Sequence, residues 1–290
     1  MTNRMQKGIF FLFISVAIIY SCSKDSTILV DPDSEVVVED EEIVDETQTE
    51  ESPESENTTV MPPTAETPPV DNPAPESPIG ETPCNNAADF VFNEKDGLVL
   101  VEFEKTNFSG NWKLKNAGNQ HTGEGYLVWE GAQYFNTPGN GILTYNIKIE
   151  NPGTYQFMWH TAITLGNDGT EHNDTWLRFD DADDYYGVKV NGTSVVYPAG
   201  RGKSPNPKGA SSDGWFKVYR SGNLDYKWQA LTSDHDAHAI FVEFDSPGTY
   251  LMEVSARSTG HAIDKFVLFR TNMNAGSATG SQTFSVISCN

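Results

Sequence analysis

The 290-residue chain is short of positive charge, of long apolar runs and of cysteine, and each shortage excludes something. Nineteen Lys and Arg stand against 41 Asp and Glu, a formal net charge of −22. Nucleic acid binding needs clustered cations to release counterions, and no basic stripe occurs, so nucleic acid is set aside as a partner. The one sustained apolar run, Gly8 to Tyr20, is too short to span a bilayer as a helix, which takes about 20 residues. No amphipathic helical period persists beyond two turns, which leaves strands as the building element. Of the three cysteines, Cys22 stands next to the apolar run, whereas Cys84 and Cys289 remain as a pair further on.

What is present is a repeated strand-turn-strand unit. Leu143, Tyr145, Ile147 and Ile149 alternate with polar residues, and so do Tyr155, Phe157 and Trp159. Asn151-Pro152-Gly153-Thr154 joins them, with proline presetting φ and glycine accepting positive φ, so the unit reads as a hairpin. The same Pro-Gly-Thr-Tyr recurs at Pro247 to Tyr250, after Phe241, Val242 and Phe244. Two such units in one chain predict two facing antiparallel sheets, an all-β sandwich. Phe90 to Phe92, Leu98 to Glu104, Trp215 to Tyr219 and Ile263 to Phe269 read as further strands, the last as the final one. Leu165 to Asp184 reads as a long polar stretch, and the acids Asp180, Asp181, Asp183 and Asp184 lack the order of an EF-hand loop. They read as a solvated loop.

The charge is unevenly spread. Residues 31 to 83 hold seventeen Asp or Glu, ten prolines and no Lys or Arg, a composition that cannot bury enough apolar surface to fold. From Cys84 onward 23 acids face 16 basic residues, so this part is only mildly acidic. Arg4 and Lys7 before the apolar run mark an export signal, and Ile19-Tyr20-Ser21-Cys22 resembles the lipobox of bacterial lipoproteins, which implies lipidation at Cys22. The organisation expected is a signal peptide over 1–21, a lipid-anchored acidic stalk over 22–83 and a folded head over 84–290. Localisation at the outer membrane, exposed at the cell surface, follows as an expectation. In an exported protein Cys84 and Cys289 are expected to form a disulfide, closing a loop that the chain-entropy model values at roughly 5 kcal/mol.

Several side chains are candidates for chemistry. Glu102 and Glu104 are two apart on a strand, so both carboxylates share one face. If the first and last strands pair, Asp264 joins them, and three hard oxygen donors suit Ca²⁺; the other reading is a solvated face with Lys105 or Lys265 as partners. Trp129 and Trp215 sit in Gly-rich polar contexts, where each is either a core residue or a platform for the apolar face of a sugar. Trp159 and Trp176 read as core. Arg257 and His261 could grip a carboxylate or sulfate, or Arg257 could pair with a nearby acid. Asn173 and Asp174 are weaker loop candidates.

Taken in order, Glu102-x-Glu104, Gly125-Tyr126, the two Pro-Gly-Thr-Tyr turns, Gly214-Trp215 and Arg257-Ser258 through His261 to Asp264 resemble family 6 carbohydrate-binding modules and their galactose-binding-like jelly-roll relatives. The resemblance spans about Leu98 to Arg270. It implies a structural Ca²⁺ on Glu102, Glu104 and Asp264, and a sugar site in loops at one end of the sandwich using Tyr126 and Trp215. At the position of the family's asparagine this chain carries His261.

The expected function is noncatalytic capture of a polysaccharide or oligosaccharide, anionic ones included, by a surface-tethered protein with glycan-uptake partners. The site expected comprises Tyr126, Trp129, Asn173, Asp174, Trp215, Arg257 and His261. Two alternatives stand beside it. One is a lyase or glycosidase recruiting Glu171 with Asp174 or His160 with Arg257, although no spacing singles these out. The other is an adhesin that binds protein through an apolar patch.

Overall fold

The computed structural model describes residues 84–290; the expected signal peptide, lipidation at Cys22 and stalk lie outside the described residues. In chain order the strands are β1 (Phe90–Asn93), β2 (Leu98–Glu102), β3 (Trp112–Lys115), β4 (Tyr126–Trp129), β5 (Leu143–Ile149), β6 (Gly153–Ile163), β7 (Asp174–Arg178), β8 (Asp184–Lys189) and β9 (Val195–Val196). They continue with β10 (Ser211–Ser212), β11 (Trp215–Tyr219), β12 (Lys227–Trp228), β13 (Leu231–Thr232), β14 (His238–Phe244), β15 (Gly248–Ser255), β16 (His261–Arg270) and β17 (Ile287–Cys289). One short helix, α1 (Ala275–Thr279), follows β16.

Hydrogen bonds link the strands into one curled sheet that folds over itself as a jelly roll. The front layer runs β2-β16-β6-β14-β8-β9, with β4 and β3 continuing past the end of β2 and β12 extending the edge of β6. The back layer runs β17-β1-β5-β15-β7-β11-β10. Strand β13 bonds to both β11 and β14 and joins the layers. The expected all-β sandwich is therefore present, and β2 does pair with β16, Glu102 standing opposite Lys265.

The turn units are not hairpins. β5 pairs with β1 and β15, whereas β6 pairs with β16, β14 and β12. β14 and β15 likewise belong to opposite layers. Each Pro-Gly turn thus carries the chain across the core, and the two crossings run in opposite directions. Alternation cannot distinguish these cases, because it requires only that each strand turn its apolar side inward. A crossing sets the two apolar sides face to face, and Tyr145, Ile147, Tyr155, Phe157 and Trp159 are accordingly all buried.

Two further expectations are corrected. The polar stretch from Leu165 contains β7, whose Trp176 and Leu177 are fully buried. β16 is followed by β17, which pairs with β1 and brings Cys289 beside Cys84, 205 residues away in sequence. The disulfide is formed, with the Cα atoms 5.5 Å apart.

Between the layers lies an aromatic core. Phe103 meets Tyr145 at 5.6 Å, Tyr145 meets Phe266 at 5.3 Å, and Tyr185 meets Phe216 at 4.8 Å between ring centroids. Tilted and edge-on rings at such distances gain beyond the area they bury. The first crossing is held by Glu94, whose carboxylate accepts from the backbone N–H of Glu150 at 3.0 Å and of Asn151 at 2.8 Å, from the Asn151 side chain, and from Gly97 N–H. Burial works against its charge, but these donors prevail and hold its pKa below the usual Glu value.

Replacing Glu94 by Ala strands those donors at the crossing, and hydrogen bonds to charged groups are the strong ones. Glu94→Ala is expected to cost about 2–4 kcal/mol in urea unfolding, with Glu94→Gln losing less. Because the folded-state pKa is depressed, Glu94's contribution is present above the ordinary Glu value of about 4.3 and is lost as pH falls through the folded value. The difference between wild type and Glu94→Gln is expected to close in acid.

Candidate functional site

Three acids converge where β2 ends against β16. Glu102 closes β2, Phe103 turns into the core, and Glu104 follows on the same side as Glu102. Asp264 is the extra residue of a bulge in β16: Ile263 faces Thr161 and Lys265 faces His160, leaving Asp264 between them. A bulge re-aims a side chain, here toward the glutamates, and Phe103 N–H donates to the Asp264 carbonyl at 2.8 Å. All three carboxylates are buried.

The loop between β3 and β4 folds over them. Thr122 donates its N–H to Asp264 Oδ1 at 3.0 Å and its hydroxyl to Glu102 Oε1 at 2.6 Å, and Glu124 N–H donates to Glu104 Oε1 at 2.9 Å. Gly123 lies so close that a Cβ would stand 2.3 Å from Glu104 Oε1, and its φ of +62° also favours glycine. His160 Nδ1 lies 2.7 Å from Asp264 Oδ2, and Lys265 Nζ lies 3.6 Å from the same oxygen and donates to Thr122 Oγ1. Glu102 Oε2 and Glu104 Oε2 are buried without a partner. Burial, opposed by the Thr122 hydroxyl and reinforced by the Glu104 and Asp264 charges, pushes Glu102 up to about 7. Burial also raises Glu104.

The chemistry of the donors fits a hard cation: oxygens only, two of them unpartnered, in a place where negative charge is in excess. The carboxylates are not drawn round a single point, and among the described residues no three His, Cys, Asp or Glu form a closed metal cluster.

Beside this cluster an aromatic cleft opens on the outer side of the front layer. Alternation along β4 sends Leu127 and Trp129 into the core and leaves Tyr126 and Val128 outside, packed against Ala162, Ala262 and Tyr226. Tyr126 is largely buried at 6% exposure, Ala162 borders the cleft, and Ala262 is fully buried. Tyr126 and Tyr226 meet edge to face at 5.6 Å, and His160 stacks on Tyr226 at 5.1 Å and lies 5.2 Å from Trp228. The cleft, about 230 Å³, is lined by Tyr126, Tyr226, Asn119, Gln120, Thr164 and Asp225. Tyr226 is half-buried, whereas Asn119 and Gln120 are exposed. A hollow of about 360 Å³ with Gln156, Met158, Trp228 and Phe241 lies further along the same layer.

A second group assembles at the loop end of β7. Arg257 pairs with Asp174 Oδ2, Ser258 donates to Asp174 Oδ1, and Lys217 Nζ lies 3.9 Å from the same carboxylate. The Arg257 guanidinium stacks over Trp176 at 5.2 Å and over the exposed Phe135 at 5.1 Å. Asn173 donates its amide to the Arg220 carbonyl at 2.6 Å. A hollow of about 270 Å³ touches Phe135, His172, Asn173, Asp174 and Ser258.

The seven residues expected to form one sugar site are thus divided. Tyr126 lines the aromatic cleft. Asn173, Asp174 and Arg257 do meet, but Arg257 is spent on Asp174 inside the protein and is not free to grip an anionic sugar. Trp129 is a core residue between Trp112 and Tyr134, its N–H given to the Ala132 carbonyl. Trp215 is 3% exposed, lies under the Arg178 guanidinium at 4.5 Å, and stands opposite Arg178 at the far end of β7 from Asp174, about 13 Å along the strand. His261 is fully buried, Nδ1 at 2.8 Å from Thr175 Oγ1. None of these last three presents a face to a ligand. Of the groups considered for catalysis, His160 is engaged with Asp264 and Arg257 with Asp174, whereas Glu171 and Asp174 both line the hollow at the end of β7. Tyr226, Trp228 and Phe135 were missed, although Tyr226 and Trp228 stand two apart and so share a face.

No model of a known protein family matches the chain. An uncharacterized protein, P23, of Formosa agariphila is 24% identical over 226 residues, 65% of this chain and 47% of that protein. The chain therefore spans about half the length of this curated relative. Solved structures that align with it are the CBM35 from Cellvibrio japonicus Abf62 (12% identity, TM-score 0.35, 67% of this chain and 97% of that one) and the C-terminal CBM6 of LamC from Zobellia galactanivorans (14%, 0.31, 60% and 99%). A Podospora anserina GH26-CBM35 β-(1,4)-mannanase aligns at 14% identity and TM-score 0.34, over 62% of this chain and 29% of that one. The two-layer architecture rests on the strand pairings described above.

The raised pKa of Glu102 has a direct consequence in metal-free protein. A carboxyl whose folded value lies above its unfolded value stabilises the fold while protonated, and that contribution is lost as pH rises from the unfolded value toward about 7. In chelator, the melting temperature is expected to fall between about pH 4.5 and 7, and Glu102→Gln to remove most of that slope. An unchanged slope in Glu102→Gln would show that other groups set it.

Proposed function

We propose that the described part of the chain is a noncatalytic carbohydrate-binding module, whose ligand lies in the cleft of Tyr126 and Tyr226. The observation that carries this reading is the cleft itself: the half-buried ring of Tyr226 beside the largely buried Tyr126, with Ala117 and Ala162 in the lining and the amides of Asn119 and Gln120 at its side. Sugars offer apolar C–H faces to rings and hydroxyls to amides, so this combination suits them. The module resemblance of the sequence supports the same class. Glu102, Glu104 and Asp264 would hold a structural Ca²⁺, which would neutralise their excess charge. It would also fix the loop that brings Asn119 and Gln120 to the cleft.

In this reading the acidic stalk and a lipid at Cys22 tether the module at the outer membrane, where glycan-uptake proteins are its partners. With Arg257 and His261 engaged inside the protein, the cleft offers rings and amides, and neutral glycans are the favoured ligands.

Affinity electrophoresis tests the reading, using the full chain with Cys22→Ser and a panel of neutral, carboxylated and sulfated polysaccharides. Retardation by one class is expected, with no new reducing ends or unsaturated products. Tyr226→Ala is expected to weaken it about tenfold, the equivalent of about 1.4 kcal/mol, while Trp215→Ala changes binding only through stability. Retardation that survives both Tyr126→Ala and Tyr226→Ala would move the site elsewhere, and product formation would make the protein an enzyme. For the metal, calorimetry should detect Ca²⁺ binding that Glu104→Gln abolishes; no heat and no chelator effect on melting would refute it.

A further inference from the structure

Between the two layers, at the end capped by residues 221–226, buried hydrogen-bond donors gather without acceptors. Arg220 continues the inward alternation of Phe216 and Val218 on β11, is 0% exposed, and leaves Nε and Nη1 unpartnered. Its remaining nitrogen donates to Asn223 Oδ1 at 3.1 Å. From the front layer come His261, with Nε2 unpartnered, Trp159, with its indole N–H unpartnered, and Thr161, with its hydroxyl unpartnered. All three are 0% exposed. Trp159 and His261 are neighbours, their rings 5.4 Å apart, and Thr161 follows Trp159 on the same side of β6.

Among the described residues Arg220 has no bonded counter-charge: no carboxylate forms an ion pair with it, and Asp225, in the capping loop, acts on it only at a distance. Lys227, paired across from Thr161, adds a second cation, and burial followed by the Arg220 charge lowers its pKa. The same two causes, burial first, bring His261 down to about 3, so its ring is neutral. In the tautomer in which Thr175 donates its hydroxyl to Nδ1, Nε2 carries the proton and is a donor. Two guanidinium N–H groups, an indole N–H, an imidazole N–H and a hydroxyl are then buried without partners in this part of the core, with Trp159 against His261 and Arg220 near enough for its charge to act on the imidazole.

A buried charge without a counter-charge costs several kcal/mol, and each unpartnered buried donor adds to it. Water relieves this less well than an anion, because a water molecule that accepts from these groups carries no charge to set against the guanidinium and still needs acceptors for its own protons. A small anion accepts from all of them and neutralises the guanidinium.

We propose that the domain binds a small monovalent inorganic anion of the halide class in its interior, on Arg220, His261, Trp159 and Thr161. The ion ties the end of β11 in the back layer to β6 and β16 in the front layer. It is a site within the core, separate from the outer cleft, and stands whether or not that cleft takes a sugar.

The test uses the full chain with Cys22→Ser in sodium chloride, bromide or gluconate at constant ionic strength. The melting temperature is expected to rise saturably with chloride and bromide but not with gluconate, by about 3–6 °C at ten times the dissociation constant. Crystals grown in bromide should show an anomalous peak within hydrogen-bond distance of Arg220. Arg220→Met should abolish the halide dependence; if that variant does not fold, the wild-type measurements decide. Equal melting in halide and gluconate, with water rather than bromide beside Arg220, would overturn the site. A bromide peak without any effect on melting would mean an adventitious ion only, and would overturn it as well.

Discussion

The aromatic packing between the layers is the constraint on which the rest of the structure depends. Phe103, Tyr145, Phe157 and Phe266 fill the space between β2, β5, β6 and β16, each within 6.0 Å of another ring of the set. Interiors are close-packed, so once these rings are seated the register of every strand carrying them is fixed. That register decides what faces outward. Phe103 pointing in obliges Glu102 and Glu104 to point the other way, and Leu127 and Trp129 pointing in obliges Tyr126 and Val128 to point out. The acid cluster and the aromatic cleft are the reverse side of the core.

The polar parts of the molecule are divided by sign. At the edge of the front layer, Glu102, Glu104 and Asp264 concentrate negative charge, and burial, with the neighbouring carboxylates adding to it, raises the pKa of both glutamates. Inside the loop end, Arg220 and Lys227 concentrate positive charge near a neutral imidazole. Burying like charges in one place is costly unless an ion of the opposite sign accompanies them. The proposed cation outside and the proposed anion inside would answer the same physical difficulty. Both sites abut a loop that lines the Tyr126–Tyr226 cleft, the 116–125 loop from one side and residues 221–226 from the other. Ion occupancy and cleft shape are thereby connected through short stretches of backbone.

The loop-end network of Asp174, Arg257 and Ser258 shows how burial changes the meaning of a residue. An arginine near an exposed ring is a good anion receptor in isolation. Here both Asp174 oxygens are engaged from one side by Arg257 and Ser258, and Trp176 lies beneath the guanidinium. The group anchors β15 to β7 and leaves only Phe135 turned toward solvent, 45% exposed.

Some of this was determined by the sequence alone. Period-two alternation required strands, the absence of helical periodicity required an all-β fold, and the leftover pair of cysteines pointed to the bond between Cys84 and Cys289 that the structure contains. The pairing of Glu102 with Glu104 on one face followed from strand geometry. Other features were decided only by the tertiary structure. Whether a Pro-Gly turn makes a hairpin or a crossing depends on the sheet to which the next strand bonds, and local alternation is the same in both. Whether Trp129, Trp215 and His261 face a ligand or the core depends on which face of each strand is buried, and neighbouring residues in Gly-rich segments do not encode that. The collection of donors around Arg220 is the extreme case: Trp159, Thr161, Arg220 and His261 are spread over about a hundred residues, and only the closing of two layers sets them side by side.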